Sequence, residues 1–237
     1  MTLPFPPEES GTAFVKLDGV DLIRHYGDPA AEYAAAMEGV AIRDRSHRAQ
    51  WRFTGKEPLE MLGGIVTGRV PEPPRTSELG VLTGAATYHT VLTPKGRMLA
   101  DLHLWREPDG EGEVVRAHLP VQAAAPLTEH LRKVLPPRLA RLEDRTGEIG
   151  MICLLGPGAA RLASGVALGL RVEARELEEM ADDEFRLFAG SHGDEVLVMR
   201  NGDLSVPAFD VVGDREVLHT LWNLLTGAGA QPMGLDV

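Results

Sequence analysis

Hydrophobic and polar residues alternate most regularly in the segment YHTVLTPKGRMLADLHLW, from Tyr88 to Trp105. The sequence TPKG interrupts this alternation with Pro94 at its second position and Gly96 at its fourth, which favours a type I turn between two strands. The segment therefore predicts a β-hairpin. In its second strand, a period of two places one set of residues on one face, Met98, Ala100, Leu102 and Leu104, and the other set on the opposite face, Leu99, Asp101, His103 and Trp105.

Asp101 is the unusual residue of this hairpin, because it lies between Leu99 and His103 in an otherwise apolar strand. A carboxylate buried without a partner costs several kcal/mol or shifts its pKa. Two interpretations follow. Asp101 lies on an open, solvated sheet face, or it has a partner or a chemical role in a partly desolvated site.

Two helices are predicted from their end signals. Asp28 followed by Pro29 is typical of an N-cap with proline at the first helical position, and this alanine-rich helix ends at Gly39. The segment VQAAAPLTEHLRKVL predicts a second helix, which Pro136 and Pro137 end.

Strand-like segments are distributed among these helices along the rest of the chain. Short apolar or alternating segments predict strands near Val40, after Arg48, at MICLL and at EVLVMR, and Asn201-Gly202 predicts a two-residue hairpin turn before LSVPAFDVV. The proline-rich, acidic residues 1–20 predict an arm. Hairpins outnumber strict strand–helix–strand alternation, so the predicted fold class is α+β with antiparallel sheets flanked by helices.

Composition excludes several classes of partner. The 237 residues are 43% hydrophobic, which is enough for a globular core, and the net charge of −11 disfavours a nucleic acid partner. The densest basic run, Arg43, Arg45, Arg48 and Arg52, favours a solvated strand edge over an anion-binding site.

The single cysteine, Cys153, excludes an internal disulfide and fits a cytoplasmic location. No segment has the length and apolarity of a membrane helix, and no histidine spacing predicts a metal site.

Two further motifs do not support catalysis. Gly156 and Gly158 follow a strand, but Arg161 stands where a dinucleotide-binding fingerprint has its third glycine. Ser46 and His47 are residue types of a catalytic triad, yet neighbours in an extended chain point to opposite sides and cannot pair as nucleophile and base.

In their order along the chain, four segments resemble a known family. The run GVAIRDRSHRAQWRFTGKEPLEMLGG, the hairpin YHTVLTPKGRMLADLHLW, the turn ICLLGPGAARL and the end LWNLLTGAGAQPMGLDV are similar to the glycine-cleavage T protein, aminomethyltransferase, and to the related YgfZ-type folate-binding proteins. The resemblance covers nearly the whole chain. It implies a two-lobed α+β core that binds tetrahydrofolate, with residues 1–50 and 146–237 in a discontinuous first lobe and residues 51–145 in the second.

The resemblance also implies functions for individual residues. Asp101 falls on the family's acidic strand and is the expected catalytic carboxylate, although the first member of the family's Asp-Asp pair is Ala100 here. Tyr88 and His118 fall where cofactor-binding residues are expected. Val206 stands where the family has a glutamate that anchors the pterin, so folate binding is expected to be weak, with Asp203 as the substitute acid.

The resemblance leaves three functions open. The chain is a folate-dependent aminomethyl or one-carbon transferase, a degenerate folate-binding accessory protein of the iron–sulfur maintenance type, or a non-catalytic interaction subunit. The expected partners are a reduced folate and either a lipoyl carrier protein or a second protein subunit. The chain ends at Val237, close to the corner that precedes the family's C-terminal β-barrel domain, which we therefore expect to be absent.

Overall fold

A computed structural model describes residues 12–17, 20–77, 81–108, 112–164, 173–189 and 195–236. The strands are β1 Ala13–Leu17, β2 Val20–His25, β3 Ala41–Asp44, β4 Arg48–Thr54, β5 Arg75–Thr76, β6 Leu82–Ala85, β7 Thr87–Leu92, β8 Met98–Arg106, β9 Val115–Pro120, β10 Arg141–Asp144, β11 Ile149–Leu155, β12 Glu184–Ala189, β13 Glu195–Arg200, β14 Ala208–Asp214 and β15 Gln231–Met233. The helices are α1 Pro29–Glu38, α2 Pro58–Gly63, α3 Val121–Val134, α4 Ala159–Ser164, α5 Ala174–Glu178 and α6 Arg215–Gly227.

The chain divides into two compact units. Unit 1 consists of Met1–His47 and Ile149–Val237, and unit 2 consists of Arg48–Glu148. Mixed helices and mainly antiparallel strands confirm the predicted α+β class.

Unit 1 is built on a sheet with the strand order β15-β3-β11-β14-β13-β12. All of these pairings are antiparallel except that of β15 with β3, which is parallel. Strand β11 is buried at all seven positions, because α6 covers one of its faces and the small cluster around Ala36 and Cys153 covers the other. The strands predicted near Val40 and at MICLL are present as β3 and β11, and they pair in this sheet with Ile42 opposite Leu154.

The end signals of α1 act as predicted. The Asp28 side chain accepts hydrogen bonds from the backbone N–H groups of Ala30 and Ala31, and Gly39 caps the other end of the helix. Glu32 in the first turn is buried, and its two carboxylate oxygens accept from the backbone N–H groups of Tyr26 and Gly234. One carboxylate therefore holds both the entry to the helix and the segment after β15.

Unit 2 contains an antiparallel sheet with the strand order β10-β4-β9-β8-β7. One face packs against α2 and α3 in a core that includes Trp51, Leu104, Leu119 and Leu127. The predicted hairpin is confirmed as β7 and β8, and Gly96 ends its turn with a positive φ of 74° that favours glycine.

Two of the local predictions are wrong. The strands that flank Asn201 and Gly202 do pair as a hairpin, β13 with β14, but the turn does not have two residues: the backbone N–H of Asn201 bonds the carbonyl of Ala208, and the seven-residue loop 201–207 joins the two strands. The predicted N-terminal arm, residues 1–20, is replaced over Ala13–Leu17 by a strand that pairs with β2. Residues 1–11 and 18–19 of the predicted arm lie outside the described part of the chain.

Candidate functional site

A row of four polar or aromatic side chains crosses the face of the unit 2 sheet that lies opposite the core. Gln50 lies opposite His118, His118 opposite His103, and His103 opposite Tyr88, so the row crosses β4, β9, β8 and β7 in register. Strand alternation produces this face, because the chain neighbours of Gln50, His118 and His103 lie in the apolar core on the opposite face. Gln50, His118 and His103 are buried, whereas Tyr88 is 56% exposed.

The rings of this row stack on one another. His103 and His118 are nearly parallel, with ring centroids 4.7 Å apart and an interplanar angle of 22°. Tyr88 meets His103 at 5.2 Å in an edge-to-face arrangement, and Trp105 lies 5.9 Å from His118. This packing holds the ring of Tyr88 at the exposed end of a rigid aromatic surface.

Arg48 fixes the chemical state of His118. The Nε–H of Arg48 donates a hydrogen bond to Nδ1 of His118 at 2.8 Å. A guanidinium can only donate, so Nδ1 is the acceptor and the ring is the neutral tautomer with its proton on Nε2.

Asp101 lies on the same face as the row, two residues before His103 on β8. Its partner across the β7 strand is Thr90, and its side chain is partly buried. No hydrogen bond or ion pair joins its carboxylate to another residue in the described ranges. The Thr90 hydroxyl is already bonded to that of Thr67 at 3.1 Å. The carboxylate is therefore available to a ligand amine or to water.

The structure brings three of the four predicted site residues onto one surface. Tyr88, Asp101 and His118 share the polar face of unit 2, whereas Asp203 belongs to unit 1 and is exposed on the loop 201–207. His118 is 2% exposed and stacks on His103, so a ligand cannot reach it directly. Tyr88 and Asp101 are the predicted site residues on this face that a ligand can reach.

The loop 201–207 is held by a buried polar network in unit 1. Arg45 donates from Nη1 to both oxygens of Asp210, at 2.8 and 2.7 Å, and Asn201 Nδ2 donates to the same carboxylate at 2.9 Å. The Oδ1 of Asn201 then accepts from the backbone N–H of Asp203. This explains why Asn201-Gly202 is not a simple turn, since the Asn201 side chain is used to fix the loop. Val206 packs against the apolar cluster beside α1 and offers no hydrogen-bonding group there.

The basic run was expected at a solvated edge, and this expectation is wrong. All four arginines are partly buried, and three of them have specific partners: Asp210 for Arg45, His118 for Arg48 and Glu143 for Arg52. The roles of Arg48 and Gln50 in the site were missed. The alternation in RAQWRFT was a usable signal, because it places both side chains on the face opposite Trp51 and Phe53.

Neither a metal-binding cluster nor a membrane-spanning helix is present in the described ranges. They contain no group of three or more His, Cys, Asp and Glu side chains that could hold a metal ion. No helix in them combines the length and the apolar character needed to cross a membrane.

Comparison with known proteins supplies a family context for this surface. The family model described as the GCVT N-terminal domain matches residues 8–236. Aminomethyltransferases of Chlorobaculum parvum and Cutibacterium acnes are 27% and 26% identical to the chain, over 96% of its length in both cases. The chain spans 59% and 60% of the length of these two relatives.

Solved structures show a similar fold. Aminomethyltransferase T of the glycine cleavage system from Bartonella henselae has a TM-score of 0.75 and 17% identity, covering 95% of this chain and 56% of that one. A chain of the heterotetrameric sarcosine oxidase from Corynebacterium sp. U-96 has a TM-score of 0.50 and 15% identity, covering 84% of this chain and 89% of that one. Together with the family match, the first of these structures confirms the resemblance to the glycine-cleavage T protein that the sequence predicts.

Proposed function

Because the chain belongs to the GCVT N-terminal domain family, we propose that it is a tetrahydrofolate-dependent one-carbon transferase of the aminomethyltransferase type. The observation that carries this proposal is the carboxylate of Asp101, which has no partner in the described ranges and lies beside an exposed tyrosine ring on the polar face of unit 2. A bound reduced folate would supply the amines that accept the one-carbon unit.

The position of Asp101 fits a role as the proton-handling group. A general base must lie within hydrogen-bonding reach of the proton that it accepts, and a carboxylate without a protein partner can meet that condition. Ala100, the preceding residue, is 3% exposed and lies in the apolar core. An acid at position 100 would therefore point away from this face, so the loss of an Asp-Asp pair leaves the accessible carboxylate in place.

Tyr88 fits the binding of a planar heterocycle. Its ring is 56% exposed, and its contact with His103 restrains the orientation that it presents. Aromatic rings bind other rings by offset or edge-to-face contacts at centroid distances of about 4.5–7 Å. In this proposal Tyr88 contacts the cofactor, and His118 holds the stack rigid through its bond from Arg48.

Val206 argues for weak binding of the folate. A carboxylate bonded to the pterin edge would contribute roughly 1.5–3 kcal/mol, which corresponds to about tenfold or more in affinity. Valine cannot accept these bonds. Asp203 is the substitute acid in our proposal, because the Asn201 side chain fixes its backbone while its own side chain stays exposed.

Calorimetric titration with tetrahydrofolate tests the proposal. We expect a dissociation constant weaker than micromolar for the parent protein, and a further loss in Asp101→Asn, which keeps the shape of the side chain but cannot accept a proton. Asp214→Asn is the matched control, since Asp214 is exposed and its side chain caps no helix. Equal binding by all three proteins would remove Asp101 from the site.

A second candidate is a non-catalytic folate-binding accessory or interaction subunit. Val206 favours it, and so does the match to nearly the full length of one chain of a multisubunit oxidase. In this case the protein binds reduced folate or a protein partner but does not accelerate transfer from an aminomethylated lipoyl carrier. Folate binding without any transfer to it in that assay would support the second candidate over the first.

A further inference from the structure

A second polar residue, Thr90, lies directly opposite Asp101 in the β7–β8 ladder. Its backbone carbonyl accepts from the N–H of Thr67 at 3.0 Å, and its backbone N–H donates to Oγ1 of Thr67 at 3.0 Å. Both backbone groups of Thr90 therefore point away from β8. Thr90 and Asp101 thus form a non-hydrogen-bonded pair, the type in which the two Cα atoms are only about 4.5 Å apart and the side chains are closest.

The side chain of Thr90 is held by the segment that follows α2. Its hydroxyl is 3.1 Å from the hydroxyl of Thr67. Thr67 is fixed in turn, because the Nδ1–H of buried His89 donates to its carbonyl oxygen and Val66 forms a β-bridge with Val91. The hydroxyl of Thr90 is therefore pre-oriented next to the carboxylate of Asp101.

The Thr90 oxygen can accept a further hydrogen bond. A hydroxyl has one donor hydrogen and two acceptor lone pairs. If Thr67 donates to Thr90, one lone pair of the Thr90 oxygen stays open, and the adjacent Asp101 carboxylate attracts its hydrogen. If Thr90 donates to Thr67, both lone pairs stay open. In either arrangement Thr90 and Asp101 present two neighbouring acceptors on one face of the sheet.

Two neighbouring acceptors fit a ligand with two neighbouring N–H groups. On the basis of the proposed function, we propose that Thr90 is a specificity-determining residue, which binds one N–H group of the reduced folate while Asp101 binds the next. Reduction of the pterin adds a hydrogen to the ring nitrogen nearest the amine of the side chain. In an oxidised folate that nitrogen carries a lone pair, which gains nothing from a second acceptor. Thr90 therefore favours the reduced form of the ligand.

Calorimetric titration of the full chain with tetrahydrofolate and with folic acid tests this role. The variant Thr90→Val keeps the shape of the side chain but lacks the hydroxyl. Its dissociation constant for tetrahydrofolate should rise about three- to tenfold, because one ligand N–H loses its acceptor. Its affinity for folic acid should stay that of the parent. Thr90→Ser retains the hydroxyl and should bind tetrahydrofolate as the parent does.

Thr76→Val is the matched control, because Thr76 is exposed on β5, which is not a strand of this sheet face. Unchanged binding of tetrahydrofolate by Thr90→Val would overturn the role of Thr90. An equal loss of affinity for both ligands would overturn it as well, because that result indicates a change in the shape of the site. In both cases weaker binding by Asp101→Asn would leave the proposed function standing. A parent protein that binds no tetrahydrofolate would overturn the proposed function, and the role of Thr90 with it.

Discussion

Nε of Arg48 donates to Nδ1 of His118 at 2.8 Å, and this bond places the imidazole proton on Nε2 beneath the stacked ring of His103. The two residues are 70 positions apart in the sequence and meet because β4 and β9 are neighbouring strands. One arginine therefore sets both the orientation and the tautomer of the histidine at the centre of the site.

The variant Arg48→Met should allow the His118 ring to adopt both neutral tautomers. We expect long-range ¹H–¹⁵N NMR spectra to show the Nε2–H form of His118 in the parent and a mixture of tautomers in the variant. The lost charge-assisted bond should lower the free energy of unfolding by about 1–3 kcal/mol. Arg141→Met is the control, since Arg141 is exposed on the edge strand β10. Identical imidazole spectra for parent and variant would show that another contact sets the tautomer.

The variant Asp101→Leu should be tolerated by the fold. Because the Asp101 carboxylate has no ion pair in the described ranges, its removal leaves no uncompensated charge, and stability should change by less than about 1 kcal/mol. Chemical denaturation measures this effect. A loss of about 3–5 kcal/mol, as expected for a broken buried ion pair, would make Asp101 a residue of the fold.

The variant Val206→Glu tests our proposal that a carboxylate at this partly buried position would anchor the folate. We expect its dissociation constant for tetrahydrofolate to fall about tenfold relative to the parent in titration calorimetry. Leu204→Glu is the matched control, because it adds the same charge to the same loop at a position that is 39% exposed. If both variants bind equally, nonspecific charge rather than a placed carboxylate explains any gain.

The pH dependence of stability should report on Asp44. Its pKa is raised to about 6 by burial, although the Ser46 hydrogen bonds and the Arg215 cation act in the opposite direction. Between pH 4 and 6 the folded protein keeps a proton that the unfolded chain has released, so the contribution of this group to stability falls as the pH rises through that window.

The variant Asp44→Asn should remove this fall in stability with rising pH. The free energy of unfolding of the variant minus that of the parent should increase between pH 4 and pH 7, by up to about 3 kcal/mol for a shift of roughly two pH units. Urea denaturation at several pH values measures the difference. A difference that does not depend on pH would show that Asp44 titrates normally.

The variant Gly234→Ala should be strongly destabilising. A β-carbon at this position would overlap the backbone carbonyl of Arg24, and the Gly234 N–H bonds buried Glu32. We expect a loss of more than about 3 kcal/mol, or failure to fold. Gly227→Ala at the end of α6 is the control, where an added β-carbon meets no atom within 4 Å and should be neutral or stabilising. Similar stability of the two variants would refute the close approach at Gly234.

Local signals determined much of the secondary structure. The Asp28 cap, the turn ending at Gly96 and the alternation in β8 all act between residues close together in the chain, so the sequence predicts them directly. The same alternation placed Asp101 and His103 on one face of the sheet. The Asn201-Gly202 signal misled because the Asn201 side chain donates a hydrogen bond to Asp210 on β14. No local sequence pattern indicates this contact.

Only the tertiary structure decided which side chains meet. The row Gln50–His118–His103–Tyr88, the bond from Arg48 to His118 and the pairing of Arg45 with Asp210 each join strands that are distant in sequence. A period of two fixes the face on which a residue lies, but strand order and register fix its neighbours. Strand order and register depend on the free energy of the whole packed sheet, because burial of the apolar face selects one register. That register then determines which side chains meet on the polar face.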